Sequence, residues 1–121
     1  MTAQQNKSPA TLKLENEMAQ CIGTEHYYKY CFGNLLYTDG VKHFCENAEA
    51  YWFLDTVFSH LVRMPDDFYT ITLKVNDDMT ATLYIKGEQA KKTQNIPFTD
   101  CPAGEWKFYF SDRVLIWNGE Y

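Results

Sequence analysis

The sequence is poor in the residues that bind nucleic acids and phosphates. Its 121 residues include eleven Lys and Arg against sixteen Asp and Glu, a formal charge of -5, and Arg63 and Arg113 are the two arginines. Binding to a phosphate backbone uses clustered cations that displace its counterions, so we expect no direct binding to DNA or RNA. With six glycines and no glycine-rich loop, the sequence also lacks a phosphate-cradling motif.

Long apolar runs and disulfide patterns are absent as well. No apolar run approaches the roughly 20 residues of a membrane span, and the first ten residues lack the apolar centre of a secretory signal. The cysteines, Cys21, Cys31, Cys45 and Cys101, contain no C-x-x-C pair and are not densely spaced. We therefore expect a cytoplasmic protein without a membrane segment, with reduced thiols in or near its core.

The sequence lacks the spacing that metal binding and catalysis require. His26, His43 and His60 lie 17 residues apart. His43 and Cys45 would diverge by ~200° on a helix, so they cannot share one ion. No nucleophile elbow is present, and a free cysteine is usually buried. We expect no metal, no cofactor and no enzymatic activity.

The composition supports one folded domain. Hydrophobic residues make up 45% and charged residues 22% of the chain, which is enough for a single core. Residues 1–10 are polar and are predicted to form a disordered tail, with one domain over residues 11–121. The first helix is predicted to begin at Thr11 and to end before Gly23, since glycine readily adopts the left-handed conformation that ends helices.

A longer helical region is predicted after the first helix. It begins at Asp39, whose carboxylate can cap the free amides of a first turn. It ends near Val62, because Pro65 prevents continuation. The apolar face rotates along this region. The pattern therefore predicts either two helices that meet near Asn47 or one helix buried on opposite sides by different neighbours.

The apolar period then changes to two, which is typical of strands. Strands are predicted at residues 35–37, 68–75, 81–86, 93–98, 106–110 and 114–117. The second and third form a hairpin. Pro97 indicates either a sheet edge or the end of its strand, because proline has no amide hydrogen to donate. The order of elements predicts an α+β fold, a two-layer domain with helices packed on a four-stranded, or five-stranded, antiparallel sheet.

An acidic stretch and a tyrosine-rich segment are candidate binding features. Residues 39–67 carry six carboxylates and two cations, a balance of -4, which favours a partner with a basic surface, although a solvated helix face has the same pattern. Tyr27, Tyr28 and Tyr30 do not all fit one helix or strand face. Because aromatic side chains with a polar tip are frequent interface anchors, at least one is a candidate for exposure. The equally weighted alternative is a loop folded back on the core.

On a helical wheel that starts at Val41, Asp55 falls on the apolar side of the first half of the helical region. An unpaired charge there would be costly. We expect its carboxylate to bind a tyrosine hydroxyl, a backbone amide or an arginine such as Arg63. The alternative is contact with a ligand.

Four short segments of the sequence resemble those of a known family, namely residues 23–28, 36–41, 50–55 and 96–100. With them the chain resembles a small uncharacterised bacterial family that also occurs on phages and plasmids. The resemblance covers nearly the whole chain after the tail, and it implies no activity and no functional residue. Small acidic proteins of mobile elements often resemble inhibitors of host defence, including anti-CRISPR proteins, which mostly act by stoichiometric binding.

The preferred hypothesis is a non-catalytic protein-binding module, an inhibitor that occupies a basic surface of a host nucleic-acid-handling complex. Its candidate partner-binding residues are Tyr27, Tyr28, Tyr30, Glu46, Glu49, Asp66 and Asp67. One alternative is a ligand-binding or enzymatic domain with a pocket between helices and sheet. Its polar residues would be Tyr51, Asp55 and His60. A third hypothesis is a structural homodimer formed through a strand edge or the aromatic surface.

Overall fold

The structure is a computed structural model that describes residues 7–31 and 33–121. The strands of the second half of the chain, in which apolar and polar residues alternate, form the centre of a seven-stranded sheet. Three α-helices formed by the described residues pack on one face of the sheet, as expected for a two-layer α+β domain. In chain order the elements are α1 (Pro9–Ala19), β1 (Tyr27–Lys29), β2 (Leu36–Thr38), α2 (Asp39–Asn47), α3 (Tyr51–Leu61), β3 (Phe68–Val75), β4 (Ala81–Gly87), β5 (Lys91–Ile96), β6 (Gly104–Ser111), β7 (Val114–Trp117) and a 3-10 helix (Asn118–Glu120).

The sheet is larger than predicted, and it is mixed. Its order is β1-β2-β7-β6-β3-β4-β5, in which β2 and β7 are parallel and every other neighbouring pair is antiparallel. The prediction of four or five antiparallel strands is therefore wrong in number and in direction. The difference comes from β1, for which no strand is predicted, and from β2, whose strand is predicted at residues 35–37 but whose parallel pairing with β7 is not; each has three residues. Such short strands give too little alternation for a period of two to be recognised.

The hairpin of β3 and β4 and the edge position of β5 are confirmed. Tyr69 pairs with Gly87 and Val75 with Ala81 at the two ends of the hairpin. β5 pairs with β4 alone among the described strands and ends at Ile96, immediately before Pro97. The chain thus leaves the sheet where a proline would interrupt its hydrogen bonds.

The long helical region consists of two helices, so the first of the two predicted arrangements is confirmed. The chain turns between α2 and α3 at Glu49, whose φ of 53° lies in the left-handed region. The amide of Ala50 then donates to the carbonyl of Cys45 at 2.9 Å. Asp39 begins α2 but does not cap it, because its carboxylate accepts hydrogen bonds from the preceding segment instead.

The first helix is displaced from its predicted position. It begins at Pro9, after the Ser8 side chain accepts a hydrogen bond from the amide of Thr11. It ends at Ala19, well before Gly23. Residues 9 and 10, predicted to belong to a disordered tail, are therefore helical, and residues 1–6 of that predicted tail lie outside the described residues.

The core lies between the helices and the inner face of the sheet. Phe44 of α2 is fully buried, with its ring centroid 5.1 Å from that of Phe108 on β6 and 5.6 Å from that of Phe53 on α3. The indole of Trp117 on β7 donates to the carbonyl of Met18 on α1. All three helices therefore share the inner face, and the opposite face, here called the outer face, faces solvent over the described strands.

The four cysteines are free, and they differ in their surroundings. Cys45 and Cys101 are buried as expected, whereas Cys31 is exposed, which contradicts the expectation of a thiol in or near the core. Burial raises the pKa of both buried thiols to about 12. They are therefore protonated at neutral pH, a form in which cysteine is a poor nucleophile. Within residues 7–31 and 33–121, no helix has the length and apolar character needed to cross a bilayer.

Candidate functional site

The candidate site begins at β1, the edge strand formed by part of the tyrosine-rich segment. Successive strand residues point to opposite faces, so Tyr27 and Tyr28 lie on different sides of the sheet. Tyr27 is 60% exposed. Tyr28 pairs with Tyr37 of β2 on the inner side, and the two rings stack with centroids 5.6 Å apart. One of the predicted anchors is therefore exposed to solvent, and the next is held against a neighbouring ring.

The carboxylate of Asp39 fixes the segment before β1 to the start of α2. It accepts hydrogen bonds at 2.9 Å from the amides of Glu25 and His26 and from the hydroxyl of Tyr28. Burial acts to raise the pKa of Asp39, but these hydrogen bonds outweigh it and hold the pKa below its ordinary value. The hydrogen bond to Asp39 in turn raises the pKa of the Tyr28 hydroxyl. Because the carboxylate is ionised, it holds β1 with charge-assisted hydrogen bonds.

Beside β1, α2 and the first turn of α3 add charged and aromatic groups. Lys42 lies with its Nζ 5.4 Å from the ring centroid of Tyr28 and 2.8 Å from Oε2 of Glu46. The hydrogen bond with Lys42 lowers the pKa of Glu46, and a hydrogen bond with Tyr51 acts in the same direction. Together β1, Lys42, Glu46 and Tyr51 form what we call the edge surface. It joins one end of the sheet to the helix layer.

Tyr30, which follows β1, is paired with Asp55 of α3. The Tyr30 hydroxyl donates to Oδ1 of Asp55 at 2.6 Å, and the Tyr30 ring lies 4.6 Å from that of Phe58. Burial and this hydrogen bond raise the pKa of Tyr30. The expected tyrosine partner of Asp55 is thus present. The expectation that Asp55 lies on an apolar face is wrong, since the break at residues 48–50 rotates α3 and leaves Asp55 exposed.

The structure separates the remaining acidic candidates. Glu49 is exposed in the turn between α2 and α3, three residues after Glu46. Asp66 lies beside the β4–β5 turn, where its carboxylate accepts from the amides of Gln89 and Ala90, and the neighbouring Asp67 is exposed. That turn is at the edge opposite β1. The seven candidates therefore do not form one surface.

The three polar residues of the alternative pocket do not converge. Tyr51 and Asp55 are four residues apart on α3 and share a face, but His60 follows after five more residues, on the other side of the helix. The Nε2 of His60 lies 2.5 Å from the amide oxygen of Gln94 on β5. Two open clefts occur elsewhere, at the β4–β5 turn and beside the start of α1. In the described part of the chain no three His, Cys, Asp or Glu side chains are grouped to hold a metal ion.

Sequence reasoning did not single out Glu120, Tyr37 or Lys42. Glu120 accepts hydrogen bonds from the hydroxyls of Thr24 and Thr38, which are 96 and 82 residues away in the chain. No local pattern links residues at such distances. The lysine could have been recognised, because Lys42 and Glu46 have the i, i+4 spacing of a helical ion pair.

The chain belongs to a family of unknown function, DUF6876, whose model matches residues 12–121. The predicted resemblance to an uncharacterised family is thereby confirmed. The chain matches no curated protein and no solved structure. The family supplies no activity, and the function has to be inferred from the surfaces of the molecule.

Proposed function

We propose that this protein is a non-catalytic protein-binding module that contacts its partner through the edge surface. The observation that carries the proposal is the position of β1. Among the described strands β1 pairs with β2 alone, so its other edge presents unpaired amide and carbonyl groups. An extended segment of a partner can add to such an edge, with backbone hydrogen bonds supplying affinity and side chains supplying specificity.

The aromatic side chains beside this edge are suited to anchor a partner. Tyr27 is 60% exposed and Tyr51 is 43% exposed. Tyr28 is held by Asp39, Tyr37 and Lys42. Rings that are already fixed lose little conformational freedom on binding, and tyrosine is enriched among the residues that dominate interface energies.

The charge of the neighbouring helices favours a basic partner. Residues 39–67 have a balance of -4, and Glu46 and Glu49 are both exposed. Like-charge repulsion disfavours an acidic partner at this surface, whereas a basic one is steered toward it. In its more specific form, our proposal is a mobile-element inhibitor that occupies a basic surface of a host defence complex acting on nucleic acids.

The test is capture of partners from a nuclease-treated bacterial lysate by the tagged protein, with Tyr27→Ala as the variant. We expect a stoichiometric partner that the variant binds about 30-fold more weakly, since loss of an aromatic anchor at an interface costs about 2 kcal/mol. Phe98→Ala is the matched control, because Phe98 is 63% exposed and follows the edge strand at the other end of the sheet.

Equal capture by the wild type and both variants would contradict the proposal. Equal loss in both variants would show that exposed aromatic residues bind non-specifically. The identity of a retained partner tests the inhibitor role, which requires a component of a nucleic-acid-handling defence complex with a basic surface.

A second candidate function uses the same edge. Because β1 lacks a neighbour on one side, two copies of the chain can pair antiparallel through β1 in a symmetric dimer. Light scattering distinguishes the two functions, since the monomer has a mass of 14.2 kDa. A mass twice as large that returns to the monomer value in Tyr27→Ala would assign the edge to self-association.

A further inference from the structure

The outer face of the sheet has a charge opposite to that of the whole molecule. In β3 to β7 the register places four lysines and a single carboxylate, Glu105, on this face. The lysines are Lys74, Lys86, Lys91 and Lys107. The face therefore has a charge of about +3, whereas the chain carries -5. Among the described residues, none of these lysines takes part in an ion pair.

Exposed aromatic rings lie on the same face. Tyr84 of β4 is 43% exposed. On the other side of β3, the half-buried ring of Tyr109 stacks on Phe68 with centroids 5.7 Å apart and packs at a tilt against Tyr121 at 4.5 Å. Tyr121 is 68% exposed and Phe68 39%. Rings on a rigid sheet present flat apolar surfaces to solvent at no further ordering cost.

The register brings each of these tyrosines next to a cation. Tyr84 and Lys86 are two residues apart on β4, and Lys107 and Tyr109 are two residues apart on β6. Residues two apart on a strand point to the same side, about 7 Å from one another. Threonines separate the two pairs, because Tyr84 pairs with Thr72, which in turn pairs with Lys107. The outer face thus repeats a unit of one ring and one cation on two strands.

We propose that the outer face binds single-stranded nucleic acid without sequence preference. Bases stack on Tyr84 and on the exposed ring of Tyr121, which packs against Tyr109, while the lysines contact the phosphates. This is the combination by which sequence-independent single-strand binding works. In a duplex the bases are stacked on one another and cannot stack on the tyrosine rings. An acidic polypeptide would contact the lysines but not the rings. The ring-and-cation unit therefore favours a single strand over both.

This inference departs from the expectation, drawn from net charge, that the protein does not bind nucleic acid directly. The expectation averaged the charge over the whole chain. Residues 39–67, which hold the balance of -4, form α2, α3 and the loop that follows them, whereas the lysines are on strands. The helices pack on the inner face, so the sheet separates Asp39, Glu46, Glu49 and Asp55 from the lysines. Asp66 and Asp67, in the loop after α3, instead lie at the cleft that Lys86 also lines.

Binding is measured by fluorescence anisotropy with a labelled oligo-dT of about 15 nucleotides and with a duplex of the same length. We expect dissociation constants in the micromolar range at low salt and weaker binding of the duplex. On a single strand each phosphate contact contributes ~0.7 to the slope of log K against log salt concentration, so three or four lysine contacts predict an affinity loss of about 20- to 50-fold between 50 and 200 mM salt.

Two variants, each with a matched control, identify the face. Tyr84→Ala is expected to weaken binding about ten-fold through loss of one stacked base. Tyr51→Ala, which removes a ring with the same 43% exposure on the helix side, should leave it unchanged. Lys86→Glu should weaken binding at low salt by a similar factor. Lys13→Glu makes the same charge change at an exposed position of α1 and should have little effect. Circular dichroism confirms that each variant is folded.

Three results would overturn the inference. The first is no binding of oligo-dT at low salt. The second is an equal loss of affinity in a variant and its control, which would mean that overall charge or general stickiness governs binding. The third is displacement of oligo-dT by polyglutamate of the same charge as effectively as by unlabelled oligo-dT, which would assign the face to acidic proteins. Because Tyr51 belongs to the edge surface, the comparison also separates this inference from the proposed protein-binding function.

Discussion

At the scale of single residues, Glu120 connects parts of the chain that are far apart in sequence. Its carboxylate accepts hydrogen bonds from the hydroxyls of Thr24 and Thr38 and from the amides of Gly40 and Trp117. Thr38 is buried, so its hydroxyl would lose its partner without Glu120. A negative group at this place also complements the positive end of α2. The start of α2 therefore depends on the side chain of Glu120, which is far away in the sequence. Asp39 and β1 depend on it through α2.

Gly40 is required by this arrangement, which gives a prediction for Gly40→Ala. Alanine is favoured over glycine in a helix by roughly 0.5–1 kcal/mol. At Gly40, however, a Cβ would overlap the Glu120 carboxylate and lie 2.7 Å from Cβ of Trp117. We expect the free energy of unfolding in urea to fall by about 2 kcal/mol, since overpacking a filled site costs 1–3 kcal/mol.

Gly23→Ala is the control for that measurement. A Cβ at Gly23 would have no atom within 4 Å, so the substitution should be neutral or stabilise by up to about 1 kcal/mol. If Gly40→Ala also proved neutral or stabilising, the close packing of Glu120 and Trp117 on the start of α2 would be wrong.

At the scale of elements, regular patterns allowed prediction where they were long enough. The eight residues of β3 alternate throughout, and their pairing with β4 was predictable from the sequence. The rotation of the apolar face was compatible with two helices or with one helix buried on opposite sides, and the structure has two helices. By contrast, β1 and β2 have three residues each, and β2 pairs with β7, 78 residues further along the chain. Local periodicity carries no information about such a pairing.

The site was less predictable than the fold for the same reason. Tyr27, Tyr28 and Tyr30 were recognised as unusual because they fit no single face. Their different environments depend on Asp39 and Asp55, which belong to other elements. The carboxylate of Asp39 illustrates the limit. Its position at the start of a helix predicts that it caps that helix. The carboxylate instead accepts hydrogen bonds from three donors of the β1 segment.

The turn between α2 and α3 gives a prediction at the scale of elements. Glu49 is exposed and has a φ of 53°, a conformation that costs most residues about 1–2 kcal/mol and glycine almost nothing. After the entropy that glycine gains in the unfolded chain, we expect Glu49→Gly to raise the free energy of unfolding by about 0.5–1 kcal/mol.

Urea denaturation of two further variants makes this interpretation specific. Glu49→Val should destabilise, because a β-branched side chain is least tolerated at positive φ. Lys13→Gly, at an exposed position inside α1, should destabilise by about 1 kcal/mol. If glycine lowered stability equally at residues 13 and 49, the left-handed turn would not be what separates the two helices.

At the scale of the whole molecule, the fold sorts charges that the sequence leaves mixed. Lys74 and Lys86 alternate with buried residues, so their common side of the sheet could have been predicted from the alternation. The net charge of the whole chain concealed this, because Asp77, Asp78 and Glu88 lie in the turns that follow these strands. Their negative charges cancel the positive charges of the lysines in any count along the sequence. The strands place the lysines on a face, and the turns place the acids at its ends.

The response of the whole molecule to acid follows from carboxylates that the fold stabilises in their charged form. The pKa values of Asp39, Glu46 and Asp78 are all lowered. A carboxyl group with a lower pKa in the folded state contributes stability above its unfolded pKa of about 4, and this contribution is lost as the pH falls through the folded value. We therefore expect the free energy of unfolding to be constant near neutral pH and to decrease below about pH 4.

Asp39→Asn isolates the largest set of hydrogen bonds among these carboxylates. The amide side chain cannot accept the three hydrogen bonds with a full charge, so we expect the variant to lose about 1–2 kcal/mol at pH 7. The difference from the wild type should shrink as the pH falls from 4 to 2, because the wild-type carboxyl then becomes protonated too. Urea denaturation across this range measures both, with exposed Asp100→Asn as the control. If the difference in free energy of unfolding between wild type and variant stayed constant with pH, the charge of Asp39 would not contribute to holding β1.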